Sequence, residues 1–175
     1  MVELFENIDV LRQKAIYLSS LSLAGVGFGA RGREIPRDAI VEVSGSPLVA
    51  RSSTGTNISP TYWDAADNIV PFDQVIDSVL DADGMIHLEP KVSFKLVGGR
   101  VMGFSLYGSH LAALGHPRTY DDLVGLFGVP DRERERVTFG DLMGYDLYYE
   151  TARKQVCWDA LDHRVYLVCL GDYPF

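Results

Sequence analysis

Shifted by 83 residues, the chain aligns with itself without a gap from Ser22 to Pro47 against Ser105 to Pro130, with eight identities in 26 positions. Ser22, Leu23, Gly25, Gly32, Asp38, Val41, Gly45 and Pro47 meet Ser105, Leu106, Gly108, Gly115, Asp121, Val124, Gly128 and Pro130. Ser-Leu-x-Gly ends a strand in each half. Gly-x-Pro then ends a helix in each half, because glycine accepts the left-handed C-terminal position and proline cannot resume the helix. Pro36 falls at the start of the first such helix, where a missing amide costs little, and Ile40 and Leu123 take the same helix-face position. Tyr62 and Tyr145 coincide at the same offset. At a slightly shorter one, Gln74-Val75 and Leu80-Asp81 match Gln155-Val156 and Leu161-Asp162, each ahead of a hairpin turn and another apolar strand. The unit implied is strand, long loop, helix, Gly-x-Pro, irregular loop and three antiparallel strands. The fold class expected is α+β, a tandem pseudo-repeat over residues 15–90 and 91–175 of one domain, with an antiparallel sheet and a short helix per repeat packed on it.

Local signals fill in this outline. Leu4, Ile8, Leu11 and Ala15 recur at helical spacing, which predicts a short amphipathic helix over 3–14. Tyr17 to Leu23 alternates and reads as a strand. Lys91–Val97 and Arg100–Tyr107 flank Gly98-Gly99, a pair that tolerates the positive φ of a tight hairpin. Thr119 to Phe127 is the clearest helix: Thr119 can cap free amides, Asp121 and Asp122 suit the positive end of the dipole, and Leu123, Leu126 and Phe127 supply an apolar face. A charged loop over Asp131–Arg136 and three strands, Tyr145–Tyr149, Gln155–Trp158 and Arg164–Leu170, complete the chain.

A net charge of −8 argues against DNA or RNA, which need a basic footprint, and favours a basic partner. Apolar residues at 47% and charged residues at 23% place the chain among globular proteins. Ala15 to Ala30 is uncharged, but it follows Glu3, Glu6 and Asp9 where a secretion signal wants basic residues, and it is too short to span a bilayer. The expectation is a cytoplasmic protein without a membrane partner. Cys157 and Cys169 lie on opposite arms of a hairpin and read as reduced core residues.

The motifs that suggest chemistry fail on context. Gly27-Phe28-Gly29-Ala30-Arg31-Gly32 matches the dinucleotide fingerprint, yet Pro36 follows closely and no βαβ unit develops, so it reads as a loop. Gly103-Phe104-Ser105 places its serine in a strand, not at a strand–helix elbow. Ser109-His110 reads as a strand-end polar pair, and Asp81-Ala82-Asp83-Gly84 as an Asp-Gly hairpin turn instead of a calcium loop. His87, His110, His116 and His163 share no ligand spacing. No catalytic residue, metal ligand or cofactor is expected, and the reading leans away from an enzyme.

What remains is a set of aromatics. Tyr62 and Trp63 in the first half and Tyr145, Tyr148 and Tyr149 in the second fall on equivalent strands. Alternation puts about half of them inside the core; the others are candidates for partner binding, since Tyr and Trp bury much area and keep a polar handle.

The helix, Gly-x-Pro-Asp and antiparallel strands, with Thr119, Asp122, Val124, Gly128, Pro130 and Asp131, then Tyr148 and the Val156–Trp158 strand, resemble the tandem-repeat β-lactamase-inhibitor proteins and the related small lipoproteins of outer-membrane assembly. The likeness covers about half of the chain, and the chain lacks that pattern's lipid-anchoring cysteine, secretion signal and inhibitor disulfides. It implies a concave sheet that grips a protein. The leading expectation is a cytoplasmic protein-binding module of the inhibitor or immunity type, acting by sheet-face contact. The alternative is an enzyme or small-molecule binder with its site in the cleft between the repeats.

Overall fold

The computed structural model describes residues 1–45, 49–51, 61–89 and 92–174. Its strands are β1 (Val2–Glu3), β2 (Leu21–Leu23), β3 (Val26–Gly27), β4 (Ile40–Ser44), β5 (Val49–Arg51), β6 (Thr61–Trp63) and β7 (Ile69–Val70), then β8 (Gly84–Leu88), β9 (Val92–Val97), β10 (Arg100–Tyr107), β11 (Arg132–Thr138), β12 (Asp141–Tyr149), β13 (Lys154–Asp159) and β14 (Arg164–Gly171). Two α-helices, α1 (Phe72–Leu80) and α2 (Tyr120–Phe127), and several short 3-10 turns accompany them. The class is α+β with mostly antiparallel pairing. The chain forms two compact units, Met1–Phe28 with Gly103–Phe175, and Gly29–Met102.

In the first unit, β11, β12, β13, β14 and β10 lie side by side and antiparallel, with β11 outermost. Helix α2 buries Leu123 and Phe127, and the sheet answers with Leu147, Tyr149, Val156, Trp158, Val168 and Leu170. Two hydrogen bonds fix the helix end and its approach: Tyr149 Oη donates to Gly128 O at 2.9 Å, and Trp158 Nε1 donates to Pro117 O at 2.9 Å. The helix starts as its sequence predicts, with Thr119 Oγ1 accepting from Asp122 N and the Asp122 carboxylate accepting from Thr119 N, and it stops at Gly128. A small sheet of β1, β2 and β3 carries the N-terminus, where the Glu3 carboxylate accepts from Ser22 Oγ and from the amides of Ala24 and Gly25.

In the second unit, β9, β8 and β4 form an antiparallel meander, and β5, β6 and β7 a second one. Val75, Ile76, Val79 and Leu80 give α1 its buried face, while Asp73, Asp77 and Asp81, one turn apart, pair with Arg33 and Arg37. The Gly98-Gly99 turn between β9 and β10 has φ of +56° and +70°, the left-handed pair that the sequence predicts there.

Several expectations are corrected. The helix expected after Pro36 is a 3-10 turn, Arg37–Ala39, followed by strand β4; Ile40, Val41 and Val43 are β-branched, and β8 offers the segment an antiparallel ladder that is interrupted only by an irregularity at Val41. The segment around Gln74-Val75 is helix α1, not a strand, so the Asp81–Gly84 turn joins a helix to β8 instead of closing a hairpin. The N-terminal helix over 3–14 reduces to one 3-10 turn, Ile8–Arg12, because Leu4 N–H is drawn to Ser22 O at 2.9 Å. Tyr17–Leu23 is a 3-10 turn at Leu18–Ser20 and then β2. The charged loop at Asp131–Arg136 is mostly strand β11. The three C-terminal strands are present; β12 begins four residues earlier than expected, at Asp141, and the other two are slightly longer. Cys157 and Cys169 are free and buried, and they are not directly opposed: Cys157 faces Leu167, and Cys169 faces Gln155. Pro47, the last identity of the repeat, and Lys91, the first residue expected in β9, lie outside the described residues.

Candidate functional site

Strand β11 alternates Arg132, Glu133, Arg134, Glu135 and Arg136, and a strand's period of two sends its arginines to one side and its glutamates to the other. The arginines are committed internally. Arg134 Nη2 lies 2.7 Å from Asp146 Oδ2 and Arg136 Nε 3.1 Å from Asp146 Oδ1, which clamps a buried carboxylate between two guanidiniums. Arg136 also donates to Trp158 O at 2.7 Å, and Gly144 leaves room for that reach, since a Cβ there would overlap both the carbonyl and the guanidinium. Arg132 lies over the Tyr148 ring at 4.5 Å.

The glutamates are committed differently. Tyr120, the first residue of α2, donates its hydroxyl to Glu133, and Tyr145, opposite Glu135 in the β12 register, donates to Glu135 at 2.9 Å. These four side chains line a cavity of about 360 Å³. Neither glutamate pairs with a lysine or arginine among the described residues, and both are exposed. Each carboxylate spends one oxygen on a tyrosine and keeps acceptor capacity on the other. Donation to Glu133 pushes the Tyr120 hydroxyl up to about 12, because the phenolate would face the carboxylate; Tyr145 is raised by Glu135 for the same reason. The rings continue as a ladder: Tyr120 and Tyr145 have centroids 4.8 Å apart, Tyr145 stacks on Trp158 at 6.1 Å, and His163 follows Trp158 at 6.3 Å. The result is an acidic socket with aromatic walls, suited to a cation.

Two other places carry polar clusters. A depression of about 630 Å³ runs along Leu114–Arg118 and α2; there Arg12 donates from Nη2 to Ala113 O and Leu114 O while its buried Nε has no partner among the described residues, and Asp122 accepts from Arg118 N and Thr119 N. In the second unit His87 sits between two hydroxyls, with Nε2 3.0 Å from Ser44 Oγ and Nδ1 2.7 Å from Ser93 Oγ, and burial lowers its proton affinity. The spacing is that of a serine and its base, but a hydroxyl stands where acyl-transfer sites place a carboxylate, and the Glu42 carboxylate offsets the effect of burial on the ring only in part. Among the described residues no three His, Cys, Asp or Glu side chains group to hold a metal ion, and no helix is long and apolar enough to cross a membrane.

The five aromatics singled out by sequence divide. Tyr62 (1% exposed) and Tyr149 (0%) are core residues and present no surface. Trp63 is half-buried on β6, in the second unit. Tyr145 and Tyr148 are half-exposed on opposite sides of β12, Tyr145 in the socket and Tyr148 under Arg132. Sequence reasoning missed Tyr120, Glu133 and Glu135. The strict alternation of Arg and Glu was the available signal, because a strand reading of it separates the charges by side. The chain matches none of the protein-family models, curated proteins or solved structures with which it was compared.

Proposed function

We propose that the chain is a cytoplasmic protein-binding module, an inhibitor- or immunity-type partner of a basic protein, and that the Tyr120–Glu133–Glu135–Tyr145 socket receives a lysine or arginine side chain of that partner. The observation that carries this reading is the contrast across β11: Arg134 and Arg136 are met by Asp146, whereas among the described residues Glu133 and Glu135 meet tyrosine hydroxyls and no cation. Residues two apart on one side of a strand are about 7 Å apart, so a single cation can address both carboxylates. The flanking rings add cation–π attraction. The net charge of −8 steers a basic surface toward the site. The tandem pseudo-repeat belongs to the same proposal and rests on the eight identities at the 83-residue offset.

The direct test is an NMR titration of the isotopically labelled protein with a capped tetrapeptide containing one arginine, beside its citrulline counterpart. Salt-sensitive shifts at Tyr120, Glu133, Glu135 and Tyr145, given by arginine alone and abolished in the Glu133→Gln, Glu135→Gln double variant, are expected. Equal shifts with citrulline, or an unchanged response in the double variant, would sink the reading.

A further inference from the structure

The hairpin that carries the socket ends in an exposed apolar tip. Strand β11 stops at Thr138 and β12 begins at Asp141, so Phe139-Gly140 is a two-residue loop with φ of +52° and +91°. Such a turn favours Asn-Gly, because both residues are left-handed and a bulky side chain is strained there. Phenylalanine occupies the first position with its ring fully exposed (102%). Behind it Val137 (53% exposed) and Leu142 (39%) face each other across the hairpin. The ladder between β12 and β13 ends at Gly144, so this tip runs past its neighbouring strand. The pairing of β11 with β12 shifts register between Arg136 and Val137, so the Val137–Leu142 pair stands beyond the regular alternation that places Glu133 and Glu135. One hairpin therefore carries an acidic socket along its length and an apolar knob at its tip.

We infer that Phe139 is the anchor of the interface, inserting into an apolar pocket of a partner protein whose rim carries lysine or arginine; the inference rests on the socket reading above. Three observations choose this occupant. The ring contributes nothing to the core and holds an unfavourable backbone position, so neither packing nor turn geometry accounts for it. Its apolar neighbours make a patch of the kind that interfaces bury at their centre. Glu133, Glu135 and Asp141 beside the patch, with a net charge of −8, disfavour the anionic face of a membrane and favour a cationic rim.

The test places p-benzoylphenylalanine at position 139, at Tyr145, and at Tyr17 as an exposed control, and irradiates each full chain in native lysate. Position 139 is expected to cross-link one protein, at a mapped apolar site bordered by lysine or arginine, and Tyr17 is expected not to. With that protein purified, Phe139→Asn should weaken binding roughly 30-fold or more, the scale of a hot spot. The same variant should raise the thermal midpoint by about 2 °C, because Asn-Gly suits the turn. Weaker binding in a more stable protein separates an anchor from a structural residue. Cross-linking at 145 but not at 139 overturns the anchor and leaves the socket standing; cross-linking at neither overturns both. Cross-links from 139 to lipid, to a second copy of the chain or to a site without basic residues also overturn it, as does unchanged binding by Phe139→Asn.

Discussion

The hydroxyl of Tyr62 closes a two-bond ring on Val43, accepting from its N–H at 2.7 Å and donating to its C=O at 2.8 Å. Val43 lies on β4, the outer strand of its meander, and the tyrosine satisfies both backbone groups at once. The ring stacks on Phe72 at the start of α1, with centroids 5.8 Å apart. Tyr62→Phe keeps that packing and orphans a buried donor and acceptor. A loss of about 2 kcal/mol in chemical denaturation is expected, with faster amide exchange at Val43. An unchanged midpoint would mean that water takes over both bonds.

Lys154 is fully buried, donating from Nζ to Leu11 O and Gln13 O, both at 2.8 Å, with the Tyr149 ring 4.3 Å away. Burial lowers its ammonium from 10.5 to about 7. Between those values the unfolded chain binds more protons than the native one, so stability rises with pH from about 7 to 10.5. Subtracting the profile of Lys154→Met should isolate a rise on the order of a few kcal/mol across that window. A flat difference would show that the carbonyls and rings hold the ammonium without a shift.

Asp146 holds Arg134 and Arg136 together beneath the sheet side that carries Tyr148. Asp146→Ala leaves both guanidiniums without their carboxylate and should cost about 2 kcal/mol, less than a fully buried pair because Arg134 and Arg136 are both partly exposed. Gly144→Ala, which obstructs Arg136 on its way to Trp158 O, should weaken the same hairpin. Thermal unfolding of both variants checks this. A variant as stable as the parent would relegate the clamp to a surface pair.

The Tyr120 ionisation reports on the socket directly. Its hydroxyl is raised to about 12 by donation to Glu133, so Glu133→Gln should return it toward 10.0. Ring-carbon chemical shifts followed through an alkaline titration measure this. If Tyr120 titrates identically in both proteins, Glu133 does not hold its hydroxyl.

The sequence by itself determined the elements whose causes are local. Helix α2 follows from Thr119, the aspartates of its first turn and Gly128, and the turn before β10 follows from Gly98-Gly99, because caps and positive-φ turns are settled within a few residues. Tertiary pairing decided the rest. Ile40–Ser44 became a strand because β8 supplied a ladder, while Phe72–Leu80 became a helix with Val75, Ile76, Val79 and Leu80 gathered on one face. The sequence reads as a charged loop over Asp131–Arg136, and it is pairing with β12 that makes it a strand and sends its arginines and glutamates to opposite sides. Tyr145 was legible as an aromatic of interest, but its role was not, since its partners Tyr120 and Glu135 come from other elements. Composition records which charges and rings a chain carries. Register alone brings a glutamate opposite a tyrosine and keeps arginine on the other side, and register is set by hydrogen bonds between residues distant in sequence.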